Sequence, residues 1–196
     1  MFVEVLVVGI GFLAGLAMLA AAIAGPRTAA EAAPIAGSTP AAGVGLAAAY
    51  ALGILVDRAA DKALARVRRR LRNATFQSNS AYAQARLAVA AMPSLVALAD
   101  YARSRMRICR GWIFNTALMT IAGDLLLLRY NVEHRTLLLA LTTLLGVAVA
   151  VGFYLSWRTI TATSYRKLKQ QTATVTGAAP PLPQQSNTVA SPAAAD

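Results

Sequence analysis

Few residues in this chain of 196 could carry out chemistry. The sequence contains one histidine, one cysteine and eight acidic residues. It has no phosphate-binding P-loop, no His-Glu-x-x-His zinc motif, no Gly-x-Ser-x-Gly nucleophile turn and no paired-cysteine metal motif. An acid/base pair would have to be built from Asp100, Asp124 or Glu133, and no two of these share one helical face at short spacing. We therefore expect no enzymatic activity, no metal site and no cofactor.

Four polar residues recur at helical spacing in an otherwise apolar segment: Asn115, Thr116, Thr120 and Asp124. A carboxylate near the centre of a bilayer costs about 2.5–3.5 kcal/mol, so we expect Asp124 to avoid lipid. One interpretation is an ion or proton site, or a polar contact to a partner helix. The other places Asp124 near the outer interface, paired with Arg129 or Arg135.

Five arginines form the most distinctive polar feature of the sequence: Arg66, Arg68, Arg69, Arg70 and Arg72. Each basic residue near an anionic leaflet contributes about 1 kcal/mol, so the cluster predicts binding to membrane lipid or to an acidic protein partner. Arginines that only set membrane orientation would produce a similar cluster. Nucleic-acid binding is not expected, because Phe76 and Tyr82, the nearest aromatic residues, do not interleave with the arginines.

Small residues recur every four positions in two apolar segments. Gly11 and Gly15 have this spacing in the first segment, and Gly45, Ala49 and Gly53 have it in the second. Such residues let helix backbones approach closely, which matters in lipid because apolar burial no longer drives helix association. The pattern predicts helix packing, either between the two segments of one chain or between copies in a homo-oligomer.

The overall composition is typical of a membrane protein. Hydrophobic residues make up 57% of the chain, charged residues make up 14%, and the mean hydropathy is +0.53. Four segments are apolar over the 17 to 25 residues that a membrane helix needs, namely 2–24, 40–56, 112–128 and 137–157. A cleaved signal peptide ending near Ala24 is the competing interpretation of the first segment. We expect a retained helix, because Glu4 is the only early charge and a basic leader is missing.

The distribution of Lys and Arg predicts the orientation in the membrane. Residues 57–111 hold 12 of the 19 basic residues, the tail after Trp157 holds four, and the other two loops hold three. Because basic loops stay in the cytoplasm, both termini and the central loop should face it. The net charge of +11 therefore mainly reflects topology. High Ala and Gly content and short loops suggest a bacterial inner (plasma) membrane.

These observations predict an all-α membrane protein of four transmembrane helices in four regions. Residues 1–56 form a first transmembrane hairpin, 57–111 a cytoplasmic basic helical hairpin, 112–157 a second transmembrane hairpin, and 158–196 a basic stub with a disordered tail. The favoured function is a non-enzymatic scaffold or accessory subunit that engages a protein partner or anionic lipid through 57–111. The alternative is a homo-oligomeric channel or pore lined by the polar face of the third span.

Overall fold

The computed structural model describes residues 2–130, 132–175 and 177, and over these residues the chain is helical without strands. Seven helices follow along the sequence: α1 Phe2–Ala24, α2 Pro26–Ala36, α3 Thr39–Ala63, α4 Ala65–Thr75, α5 Asn79–Ala90, α6 Pro93–Arg129 and α7 Arg135–Val175. Helices α1, α3, α6 and α7 are long and apolar enough to cross a membrane. The predicted all-α class with four long apolar helices is confirmed at this level.

Local sequence signals account for several helix boundaries. The Ser38 hydroxyl caps α3 by accepting from the amide of Ala41 at 3.4 Å, and the Ser78 hydroxyl caps α5 by accepting from the amide of Ala81 at 3.1 Å. Helix α6 begins at Pro93, where the missing amide proton costs nothing in the first turn. The short helix α2 occupies a connection that the sequence had indicated only as a loop.

Two of the long helices extend far beyond their apolar segments. Helix α6 has 37 residues and α7 has 41, so at about 1.5 Å per residue they measure about 55 and 60 Å, against about 30 Å of bilayer hydrocarbon. The extra turns lie at the end that also holds α4 and α5, and we call residues 57–111 and 158–175 the basic end. Residues 158–196 were predicted to form a basic stub with a disordered tail, but α7 continues through the first part of this region to Val175. Residues 176 and 178–196 lie outside the described part of the chain.

The four long helices do not form a closed bundle. Helix α1 packs between α3 and α6, and α7 packs along α6 with no close backbone approach to α1 or α3 in the described residues. Helices α1 and α6 run parallel, because Glu4 contacts Ser104 near one end and Gly15 contacts Leu118 further along. Helix α7 therefore lies at one edge, and no residue in its most apolar window is buried within the chain.

Helices α1 and α3 approach each other through glycine. A Cβ built at Gly9 would overlap the carbonyl oxygen of Ala49, and one built at Gly53 would overlap the carbonyl oxygen of Val5. Only residues without a side chain allow the two backbones to come this close. Ala49 and Gly53 were predicted as packing residues, whereas Gly9 was missed because it stands outside the Gly11 and Gly15 pair.

The other predicted packing glycines have different surroundings. Gly11 contacts Asn115, and Gly15 contacts Leu118 and Met119, so both face α6 and not α3. A Cβ built at Gly45 would meet no atom of a neighbouring helix within 4 Å in the described residues, so there is no close helix approach that requires glycine at this position. The spacing of small residues therefore indicated close packing, while the tertiary structure assigns the contacts to different helix pairs.

We expect Gly9→Ala to destabilise the protein by about 1–3 kcal/mol, because the added methyl group forces α1 and α3 apart. Gly45→Ala is the matched control, since its methyl group points into open space and alanine favours a helix by roughly 0.5–1 kcal/mol over glycine. Thermal unfolding of both purified variants in detergent, followed by circular dichroism, measures the difference. Equal stability of the two variants would contradict the close α1–α3 contact.

Candidate interaction site at the basic end

A network of two carboxylates and two guanidinium groups joins three helices at the basic end. Arg110 on α6 donates to both Asp57 and Asp61 on α3, and Arg68 on α4 donates to Asp61. The Arg110 side chain is only 11% exposed and that of Asp57 is 19% exposed. Because these charges are largely removed from water, loss of one partner would leave an uncompensated buried charge, which costs far more than breaking a surface pair.

This network was missed in the sequence, although a signal for it was present. Asp57 and Asp61 are one helical turn apart and therefore share a face of α3. They are also the first acids in a region dominated by arginine. The sequence does not show that their partner is Arg110, which lies 49 residues beyond Asp61 and on another helix.

The predicted five-arginine cluster divides into two sets on α4. Arg68 and Arg72 are half-buried and face the rest of the protein, where Arg68 pairs with Asp61 and Arg72 lies 5.6 Å from the ring centre of Tyr82. Arg66, Arg69 and Arg70 are exposed, and no ion pair involves them in the described residues. We call these three residues the α4 surface. The fold thus uses two arginines for internal contacts and leaves three facing solvent.

An aromatic cluster holds α4 and α5 against α7. The rings of Phe76 and Tyr82 are 5.3 Å apart, and that of Tyr165 lies 5.9 Å from Tyr82 and 6.5 Å from Phe76, all edge to face. Tyr165 lies two turns past Trp157, where the charge-free stretch of α7 ends. Burial, the largest cause, raises the pKa of the Tyr165 hydroxyl above its ordinary value, so this group is neutral at physiological pH. The cluster positions α4 and thereby orients the α4 surface outward.

The predicted polar face of α6 meets two different neighbours. Asn115 is fully buried, and its side-chain amide donates to the carbonyl oxygen of Val8 on α1 at 2.8 Å. Thr116 is also buried, and its carbonyl oxygen accepts a hydrogen bond from the Thr120 hydroxyl at 2.7 Å. A Cβ built at Gly146 of α7 would overlap the Thr120 side chain. Neighbouring helices therefore cover this face at Asn115 and at Thr120.

Asp124 has a different partner from the arginines considered in the sequence. The Thr143 hydroxyl of α7 donates to Asp124 Oδ2 at 2.8 Å, while Oδ1 is buried and accepts no hydrogen bond. No ion pair with Arg129 or Arg135 occurs in the described residues. Of the interpretations offered by the sequence, the polar contact to a neighbouring helix matches this geometry.

The remaining reactive residues are separate from one another. Asp100 pairs with Arg103 at 3.0 Å, and Glu133 lies 3.9 Å from His134 in an exposed connection. Cys109 is a free, half-buried thiol on α6. The described part of the chain contains no group of three or more His, Cys, Asp or Glu residues placed to hold a metal ion.

Comparison of the chain with family models, with curated proteins and with solved structures found no match.

We expect Arg110→Met to destabilise the protein by about 1–3 kcal/mol, because the substitution leaves Asp57 without a partner and Asp61 with Arg68 alone. Arg103→Met is the matched control on the same helix, since the Arg103 pair with Asp100 is about half exposed and contributes less than about 1 kcal/mol. Unfolding of both variants in detergent measures the effect. If Arg103→Met lowers the free energy of unfolding as much as Arg110→Met does, the buried network contributes no more to stability than an exposed ion pair.

We expect a cysteine at Thr120 to be protected from a water-soluble maleimide in intact membranes, because α7 covers this position. The experiment uses Thr120→Cys in a Cys109→Ser background. His134→Cys in the same background is the reactive control, since the His134 side chain is 77% exposed. Rapid labelling of the cysteine at position 120 would instead support a water-filled path along the polar face and hence the pore interpretation.

Proposed function

We propose that this protein is a non-enzymatic integral membrane scaffold or accessory subunit whose basic end engages a partner in the cytoplasm. The four long apolar helices support an integral membrane location. Sixteen of the 19 basic residues belong to the basic end and three to the opposite connections, which supports a cytoplasmic basic end and cytoplasmic termini. A bacterial inner membrane is the location that the composition favours.

The α4 surface is the observation that carries this proposal. Arg66, Arg69 and Arg70 lie within little more than one helical turn, so their guanidinium groups repel one another. The described chain provides no carboxylate for them, although it provides partners for Arg68 and Arg110. An external anionic group would relieve this repulsion, and Arg is well suited to pair with carboxylates through two parallel hydrogen bonds.

The position of α4 favours a protein partner over the membrane itself. Residues of α4 lie beside Ala162, Arg166 and Lys169 of α7. At about 1.5 Å per residue, these positions are about 8–18 Å along α7 beyond Trp157, where its charge-free stretch ends. The headgroup layer of one leaflet is only about 5–8 Å thick. We therefore infer that an acidic cytoplasmic segment of a partner protein binds the α4 surface.

The open arrangement of the long helices also supports a role in assembly. Helix α7 contacts its neighbours along one edge and leaves a row of large apolar side chains exposed, including Leu137, Leu141, Leu144, Leu145, Val151 and Leu155. In a membrane this face meets lipid or a helix of another subunit. The dispersed reactive side chains support the non-enzymatic part of the proposal.

We expect the triple variant Arg66→Gln, Arg69→Gln, Arg70→Gln to lose a stoichiometric partner that the wild-type chain retains on gentle extraction from its native membrane. The matched control is Arg158→Gln, Arg166→Gln, Lys169→Gln, which removes the same charge from exposed positions of α7 at the same end. Mass and composition of the tagged complexes are measured by native mass spectrometry.

Three other results would contradict the proposal. If both triple variants lose the partner equally, net charge and not the α4 surface is responsible. A wild-type chain that is extracted as a homo-oligomer alone would favour the pore interpretation. If the α4 surface binds anionic vesicles and no protein, membrane lipid replaces the protein partner.

A further inference from the structure

A second basic feature lies next to α4 and is separate from the α4 surface. Helices α3, α4, α5, α6 and α7 enclose a cleft of about 900 Å³ at the basic end, and no residue of the α4 surface lines it. The cleft extends from Leu95 to Arg110 along α6 and from Trp157 to Gln171 along α7, so it is about 20 Å long at about 1.5 Å per residue. An elongated cleft of this length matches a segment of polypeptide better than a compact small molecule.

The floor of the cleft on α6 is a row of apolar side chains. Leu95, Ala99, Ala102 and Met106 line the cleft at spacings of four, three and four residues, which places them on one face of the helix. The sulfur of Met106 accepts a hydrogen bond from the Thr161 hydroxyl of α7 at 3.3 Å. The row therefore continues the face through which α6 packs on α7. All four side chains of the row are partly exposed, so this face has room for a further helix.

Helices α5 and α7 turn similarly spaced residues toward the same cleft. Ser164, Leu168 and Gln171 of α7 line it at spacings of four and three residues, and Tyr82 and Val89 of α5 line it seven residues apart. Such spacings are those through which α-helices pack against one another. Three helices thus present packing faces to one cleft, and a fourth helix would complete a four-helix arrangement.

The apolar row lies beyond the lipid headgroups. Leu95 and Met106 precede Trp112 by 17 and six residues, so they are about 26 and 9 Å past it along α6. The headgroup layer of one leaflet is only about 5–8 Å thick. Leu98 and Tyr101, at the edge of the row, are 61% and 64% exposed. Large apolar side chains that face water beside a cleft are typical of a surface that binds another protein.

The rim of the cleft carries an excess of positive charge. Its two acidic lining residues, Asp57 and Asp61, are already paired in the buried network. Three exposed basic residues line the cleft without a carboxylate partner in the described chain, one from each of α5, α6 and α7: Arg86, Arg105 and Lys167. Acidic side chains that flank the apolar face of an entering helix would form charged hydrogen bonds with them.

We propose that this cleft binds one amphipathic α-helix of a cytoplasmic partner protein. The apolar face of that helix packs on the row from Leu95 to Met106, which about three helical turns would cover, and its acidic side chains meet Arg86, Arg105 and Lys167. This inference rests on the proposed function for the cytoplasmic position of the basic end, but it does not depend on what binds the α4 surface. The α4 surface requires only carboxylates, whereas the cleft requires a helix with an apolar face.

The test uses the full chain in phosphatidylcholine nanodiscs and a fluorescently labelled probe peptide of known sequence. The probe has 18 residues, with leucine at every third or fourth position and glutamate on both sides of the leucine face. We expect saturable binding of one peptide per chain by fluorescence anisotropy, after subtraction of the signal from empty nanodiscs. A scrambled peptide of the same composition should bind at least about tenfold more weakly, because its leucines do not share one face. A peptide with lysine in place of glutamate should also bind at least about tenfold more weakly.

One pair of variants tests the shape of the cleft. Ala99→Trp fills the floor of the cleft, so we expect it to weaken binding of the probe about tenfold or more. Ala97→Trp is the matched control, since Ala97 is exposed and lies two positions away on the opposite side of α6. Its affinity for the probe should be unchanged.

A second pair of variants tests the charge of the rim. Arg86→Gln, Arg105→Gln, Lys167→Gln should weaken binding about fivefold or more at low salt, since an exposed ion pair contributes up to about fivefold. The α4-surface variant Arg66→Gln, Arg69→Gln, Arg70→Gln removes the same charge outside the cleft and should bind the probe as the wild type does. All six positions are exposed, so this pair keeps the test decisive if Ala99→Trp does not fold.

Several results would overturn the proposal. They are the absence of saturable binding, equal affinity for the probe and the scrambled peptide, and equal loss in the two charge variants. Displacement of the probe by micromolar pyrophosphate would assign the cleft to a small anion instead. If the probe does not bind while the α4-surface variant still loses its stoichiometric partner, the cleft assignment fails and the proposed function stands. If the probe binds and that variant keeps its partner, the reverse holds.

Discussion

The contact between Gly9 of α1 and the backbone of α3 at Ala49 leaves no room for even a methyl group. In lipid, helices gain little from burying apolar side chains, so close backbone approach and polar contacts must hold them together. Helix α1 makes such approaches on two sides, through Gly9 toward α3 and through Gly11 and Gly15 toward α6. The arrangement of the long apolar helices depends on α1, because α3 and α6 have a smaller contact of their own.

Polar interactions define the relative positions of the helices at two levels along their length. The Asn115 amide binds the carbonyl oxygen of Val8 inside the α1–α6 contact and so defines the register of these parallel helices. At the basic end, Arg110 holds the two carboxylates of α3, and Arg68 connects α4 to one of them, Asp61. Each interaction satisfies groups that would be costly to bury alone. The Arg68 contact also connects α4 to the long apolar helix α3.

The fold divides the arginines of the basic end into those that have structural partners and those that do not. Arg68, Arg72 and Arg110 stabilise the fold, and their removal would damage it regardless of any ligand. The three arginines of the α4 surface have no ion pair in the described chain. Their positive charge is therefore available to a partner. They face outward because the Asp57 and Asp61 network and the aromatic cluster hold α4 in a single orientation.

The helical class and the four apolar segments can be predicted from the amino-acid sequence, and so can local boundary signals such as a serine cap at Ser78 or Ser80 and the helix start at Pro93. These features depend on local hydropathy, capping and the missing proline amide, which are properties of neighbouring residues. The three-dimensional packing was needed to establish which helix each glycine meets and which arginines face solvent. Gly11, Gly45 and Gly53 all have the same spacing of small residues, yet a Cβ at Gly45 would meet no other helix in the described part of the chain. The distinction depends on how each helix is rotated about its axis, and contacts between residues far apart in the chain, such as Arg110 with Asp57, set that rotation.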